Sequence, residues 1–178
     1  MKFFTLLEAL GLSSGASAGT VKVGDKAPLF TQKMQDGTDF KLEDRKGKGW
    51  TVLFFYPKAG TPGCTKQACA FRDSVKVIRN EGAEVYGISS DTVASQKKFH
   101  EEHKLTFSLI ADPKVEVINA YDVKMPVVDI SKRWTFIIDD NLIIRDINDN
   151  VDPVMDAKNV ADKLAKLKTE GKKAGVRN

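Results

Sequence analysis

Cysteine and histidine are scarce in this 178-residue chain: two of each, Cys64, Cys69, His100 and His103. Two cysteines cannot build a disulfide scaffold, so they are a reactive pair, a single structural bridge or inert thiols. They are not spaced Cys-x-x-Cys, which excludes a thioredoxin-type dithiol. As a zinc set the four residues fit poorly, because the two histidines stand one residue too close for the usual finger. Solvated positions on one helix face account for them better, and no metal is expected. A glycine-rich phosphate loop, paired acid–base carboxylates and a Ser/His/Asp set are missing, as are repeats, linkers and low-complexity segments. No apolar run reaches the ~20 residues needed to span a bilayer.

What is present describes one folded domain: 42% of the residues are hydrophobic and 29% charged. A chain of this length buries about 70% of the surface it exposes when unfolded, enough to do without staples. The net charge of +4 is terminal in origin, because Lys163, Lys166, Lys168, Lys172, Lys173 and Arg177 face only Glu170. No aromatic side chains interleave with them, so the tail reads as a solvated helix face and nucleic acid is not an expected partner.

Residues 1–18 read as an export signal. Lys2 gives the positive start, residues 3–12 the apolar stretch, and Ala16-Ser17-Ala18 a small-residue cleavage site, although Glu8 interrupts the apolar part. The expected folded domain is 19–178, located in the periplasm or secreted, where disulfides persist. After an extended lead-in over 22–30, Asp36-Gly37 marks a hairpin turn. The apolar, β-branched and aromatic run 51–56 predicts a strand buried on both faces, stopped by Pro57. Helical spacing of Ala68, Phe71, Val75 and Ile78 predicts a helix from Pro62 to about Asn80.

Strands over 84–89 and 107–110 flank a polar helix over 92–103, and Asp112-Pro113 is read as a helix start. Two strands, 133–138 and 142–147, are joined by a turn at Asp139-Asp140-Asn141. A last amphipathic helix carries Val160, Leu164 and Leu167. The order predicts a three-layer α/β domain whose parallel strands come first, with the late hairpin adding antiparallel ones. Reactive sites in such sheets lie at the carboxyl ends of central strands, here the turn after Tyr56.

That turn holds the chemistry. With Thr61 as N-cap and Pro62 as first helical residue, Cys64 falls in the first turn, where unpaired N–H groups and the positive dipole end favour thiolate over thiol. The segments Phe55-Tyr56-Pro57-Lys58 and Thr61-Pro62-Gly63-Cys64-Thr65-Lys66, with Cys69 five residues after Cys64, resemble the peroxiredoxins. Within them the chain is similar to the bacterioferritin-comigratory, or Q-type, subgroup. The likeness runs from about Val23 to Leu167 and includes Gly24-Asp25-Lys26-Ala27-Pro28 and Thr135-Phe136-Ile137-Ile138-Asp139.

The resemblance implies a thioredoxin-like fold, a central mixed sheet flanked by helices, and a thiol peroxidase acting on hydrogen peroxide and organic hydroperoxides without a cofactor. It implies that Cys64 attacks the peroxide, that Thr61 hydrogen-bonds it, that Pro57 shields it and that Arg133 stabilises the thiolate. Cys69 would then resolve the sulfenic acid as an intramolecular disulfide, reduced by a thioredoxin-like protein. The expected assembly is a monomer or weak homodimer with no stable membrane association once the signal is removed. Two departures stand out: Gln67 replaces a frequent acidic residue, and Ala59-Gly60 replaces a polar pair. Neither is expected to touch the reacting groups. The competing reading from another class is an exported, non-enzymatic protein with one structural disulfide.

Overall fold

Alternation in the run after Trp50 organises the molecule. In the computed structural model, which describes residues 20–175, β3 (Trp50–Phe55) is buried along almost its whole length. Val52 and Phe54 pack on one side of the sheet, Leu53 and Phe55 on the other, as the two-residue period of a strand requires. β3 pairs in parallel with β4 (Ala83–Ser89) and antiparallel with β6 (Thr135–Ile138). β4 pairs in parallel with β5 (Ser108–Ala111). The hairpin β1 (Thr31–Met34) and β2 (Asp39–Lys41), turning at Asp36-Gly37, lies against β5, and β7 (Ile144–Asn148) lies against β6.

The sheet is therefore seven-stranded and mixed, in the order β2-β1-β5-β4-β3-β6-β7. One expectation is corrected: the parallel strands do not come first, because the early hairpin joins the sheet antiparallel to β5 and brackets the parallel centre. Its register buries Phe40 against the ring of Tyr86.

On one face lie α1 (Pro62–Asn80), α2 (Val93–Glu102) and α4 (Asp156–Gly175). The inward residues of α1 are those its spacing predicts, together with Cys64 and Gln67. Phe71 stacks on Phe54 with ring centroids 4.5 Å apart, fastening α1 to the central strand. That stack requires a glycine opposite: a Cβ on Gly87 would stand 2.6 Å from the Phe54 ring. The other face holds α3 (Glu116–Ala120), with Val117, Ile118 and Tyr121 in its core.

α3 starts later than Asp112-Pro113 suggests. Asp112 is buried, and its carboxylate accepts the N–H groups of Glu116 and Ile118 across an intervening turn. The terminal cations are also less free than expected. Lys163 pairs with Asp146 at 3.0 Å, and Lys168 donates to the Glu81 carbonyl. The export signal, 1–18, lies outside the described residues. Among the described residues no helix is long and apolar enough to cross a membrane.

Candidate active site

The carboxyl end of β3 runs straight into the candidate site. Tyr56 is buried, its N–H donates to Ile88 O at 3.0 Å, and its carbonyl accepts the Ser131 hydroxyl at 2.8 Å. Its phenol donates to Gln96 Oε1. Burial pushes the Tyr56 hydroxyl far above the usual range, so the residue stays a neutral pillar under the loop. Pro57 follows, half-buried, and ends the strand. Ala59 N–H then donates to Asp91 Oδ2 at 2.8 Å, and the Ser89 hydroxyl donates to the same oxygen at 2.7 Å. The loop before α1 is thus pinned at its middle by a carboxylate that the sequence did not single out.

Thr61 occupies the N-cap position with extended backbone, but its side chain does not cap. Its hydroxyl donates instead to Lys58 O at 2.8 Å, which corrects the expected cap. Two consequences follow. The hydroxyl proton is committed, leaving Thr61 Oγ1 as an acceptor. The first-turn N–H groups of Gly63 and Cys64 remain without a side-chain cap, pointing positive charge at whatever sits there.

Cys64 sits in this turn with 1% of its surface exposed. Arg133, on the segment leading into β6, directs Nη2 at the Cys64 sulfur from 3.4 Å. The guanidinium packs over the helix start so closely that a Cβ on Gly63 would stand 3.2 Å from Nη2. Its other arm, Nη1, donates to Gln67 Oε1 at 2.6 Å. Gln67 therefore touches the arginine that faces the Cys64 sulfur, a contact not expected from the sequence. Three residues after Cys64, it shares that residue's face of the helix, and that spacing was the available signal. Its amide nitrogen donates to Asp156 Oδ2 at 2.7 Å, and the Thr135 hydroxyl donates to the same oxygen at 2.7 Å.

Of the five expected site residues, the fold joins Cys64 and Arg133 directly and sets Thr61 and Pro57 in the adjoining loop. Cys69 is not joined to them. It lies half-buried farther along the unbroken helix, and both thiols are free. Among the described residues no three His, Cys, Asp or Glu side chains converge as metal ligands.

Residues 23–147 match the family model described as the AhpC/TSA family. The chain belongs to the AhpC/TSA family. Among curated relatives of this AhpC/TSA chain is the chloroplastic peroxiredoxin Q of Oryza sativa subsp. japonica. It is 42% identical over 133 residues, covering 74% of this chain and 61% of its own length. The chain thus spans about three fifths of that plant relative.

Solved structures agree. The peroxidoxin BcpB of Mycobacterium tuberculosis superposes with a TM-score of 0.77 at 35% identity, over 82% of this chain and 97% of its own. The bacterioferritin comigratory protein of Xanthomonas campestris gives 0.73 at 26% identity, over 77% and 90%. This places the chain in the Q/bcp group of the AhpC/TSA peroxiredoxins, with the thioredoxin-like fold expected from its sequence.

Proposed function

We propose that this chain is a thiol peroxidase in which Cys64 reduces hydrogen peroxide and organic hydroperoxides. The observation that carries the proposal is the Arg133 guanidinium on the Cys64 sulfur at an uncapped helix start. The Xanthomonas campestris relative is described as having alkyl peroxide reduction activity, which supports the choice of substrate. The Cys64 thiolate attacks the terminal peroxide oxygen, the O–O bond breaks, and the departing oxyanion takes a proton to leave as water or alcohol. Cys64 is then a sulfenic acid. Arg133 and the first-turn N–H groups stabilise charge on sulfur before attack and on the departing oxygen during it. Thr61 Oγ1 accepts the hydrogen bond of the bound peroxide, and Pro57 limits access of water.

In the same reading the Cys69 thiolate attacks the sulfenic sulfur, the S–O bond breaks, and the departing hydroxide takes a proton to leave as water, forming a disulfide. A thioredoxin-like dithiol then reduces that disulfide. Five helical residues separate two Cα atoms by about 8.7 Å, whereas a disulfide needs roughly 4.4–6.8 Å. The first turns of α1 therefore open in each cycle. Amide exchange over 63–72 is expected to rise on oxidation and return on reduction, and a mapped Cys64–Cys69 bridge with unchanged exchange contradicts the opening. The reading extends to location: export removes 1–18, and the protein meets its peroxide outside the cytoplasm. Full-length chain in the cytosolic fraction contradicts that part alone.

The deciding experiment mixes reduced protein with hydrogen peroxide and with an organic hydroperoxide. It follows peroxide consumption and thiol loss, first alone and then with a thioredoxin-type reducing system. Rapid loss of two thiols, then turnover, is the expected result. A protein that consumes no peroxide is the non-enzymatic alternative with a structural bridge.

A further inference from the structure

Two carboxyls, Asp112 and Asp156, are fully buried, and burial holds both above the usual carboxylate range. Their surroundings differ. Both oxygens of Asp112 are satisfied, two of the donors being backbone N–H groups, so this carboxyl is part of the chain's framework. Asp156 accepts only side-chain donors: Gln67 and Thr135 bond Oδ2, the Asn148 amide favours the charged form from beyond bonding geometry, and Oδ1 has no hydrogen-bond partner among the described residues. A half-satisfied buried carboxyl is costly. It stands in the first turn of α4, where the helix dipole favours negative charge. With Thr135 and Asn148 it borders a cavity of about 200 Å³, whose other charged groups, Asp146 and Lys163, are paired with each other.

One of the two donors on Oδ2, Gln67, leads toward the reactive sulfur. A glutamine amide has unlike ends, one an acceptor and the other a donor. Arg133 only donates, so Gln67 must present Oε1 to it and send its NH₂ group the opposite way, into the interior. Asp156 Oδ2 is the acceptor that receives that NH₂ group. With the amide reversed, NH₂ would meet guanidinium and carbonyl would meet carboxyl. The row Asp156, Gln67, Arg133, Cys64 is linked by contacts of 2.7, 2.6 and 3.4 Å, and it joins the starts of α4 and α1 to the segment entering β6.

We propose that Asp156 is a positioning residue for Cys64: through Gln67 it fixes the Arg133 guanidinium against the sulfur, lending the site a carboxylate from one residue deeper in the fold. This rests on Cys64 being the peroxide-reacting sulfur.

The test moves the carboxylate along the row, in a Cys69→Ser background so that one thiol is read. Gln67→Glu alone sets two carboxyls in direct contact, and they cannot both ionise. Adding Asp156→Asn restores one negative charge and one amide in exchanged places. Asp156→Ala removes the acceptor and lets the Gln67 amide turn. Three quantities are measured: thiolate absorbance against pH, alkylation of Cys64 by iodoacetamide, and the thermal midpoint.

Asp156→Ala is expected to move the thiolate titration to higher pH and to slow alkylation roughly tenfold, as loss of alignment does. Gln67→Glu is expected to slow alkylation similarly and to lower the midpoint, and the double variant to recover most of both losses. Folded Asp156→Ala with the parent's titration and alkylation rate overturns the proposal. So does a Gln67→Glu variant indistinguishable from the double variant, a comparison that stands even where Asp156→Ala does not fold. Alkylation needs no peroxide, so these outcomes are read independently of peroxidase activity. A parent that alkylates normally but ignores peroxide counts against the proposed function instead.

Discussion

Within five residues of α1 the surroundings of a cysteine change completely. Cys64, in the first turn, is buried, faces Arg133 at 3.4 Å and is surrounded by N–H groups that no side chain caps. Cys69, in the second turn, is half-buried in the helix body, and the nearby Arg72 spends its donors on Asp73 and the His103 carbonyl. Same residue type, same helix, yet among the described residues the Cys64 sulfur has a guanidinium nitrogen at 3.4 Å, whereas Cys69 meets Arg72 through Coulomb attraction alone. The difference teaches that the setting of a thiol is decided by where the backbone starts its ladder, with the arginine supplied from the segment before β6. A cysteine moved one turn along would lose both.

The hardest test of that contrast exchanges each sulfur for oxygen. Cys64→Ser is expected to lower peroxide consumption by on the order of 10³-fold or more, since an alcohol without a base is a poor nucleophile. Cys69→Ser should keep the first oxidation and lose turnover with a thioredoxin-type reductant. Equal losses in the first oxidation would erase the distinction between the turns.

Arg133→Ala comes next, with attack on peroxide slower by about 10²-fold, the usual cost of a lost charge-stabilising donor. Its thiolate absorbance should titrate at higher pH than the parent's, and coincident titrations would remove Arg133 from the site.

A smaller effect tests the carboxyl behind Gln67. Burial raises Asp156 above its unfolded value of 3.8, so in that window the native state keeps a proton that the unfolded chain has released. Stability falls as pH rises from 3.8 through the native value, by at most about 1.4 kcal/mol per pH unit for one proton. Urea midpoints of Asp156→Asn should lack that fall, so its curve should gain on the parent's as pH rises. Parallel curves would show that the carboxyl is not perturbed.

Smallest is Gly63→Ala. The added methyl meets Arg133 Nη2 at 3.2 Å, a shift of tenths of an ångström that should slow attack about threefold. An unchanged rate would mean the guanidinium has room to spare.

Much of this was legible in the residues. The bounds of α1 followed from Pro62 and from the spacing of Ala68, Phe71, Val75 and Ile78. The central strand followed from its unbroken apolar run. Arg133 entered through family likeness, since no local pattern distinguishes it from a surface arginine. The Thr61 hydroxyl was misassigned because the cap position and the cap hydrogen bond are separate things: backbone geometry fixes the first, and the Lys58 carbonyl competed for the second. Asp156 lies 89 positions from Gln67. Nothing in a linear pattern joins an aspartate at one helix start to a glutamine in another helix. Only the packing of α4 against α1 brings them together.

Gln67 lies between the two cysteines in sequence, and that has a consequence for the energetics of the proposed cycle. Opening the first turns of α1 to form the disulfide pulls Gln67 away from both Arg133 and Asp156, so the oxidised protein leaves a guanidinium and a buried carboxyl short of partners. Reduction lets the helix close and restores them. If that restored pairing is worth about 1–3 kcal/mol, the cysteine couple is more oxidising by roughly 20–60 mV. The polar cluster that orders the site for attack on peroxide would thereby also supply driving force for the return of electrons, setting how weak a reductant still suffices to recycle the protein.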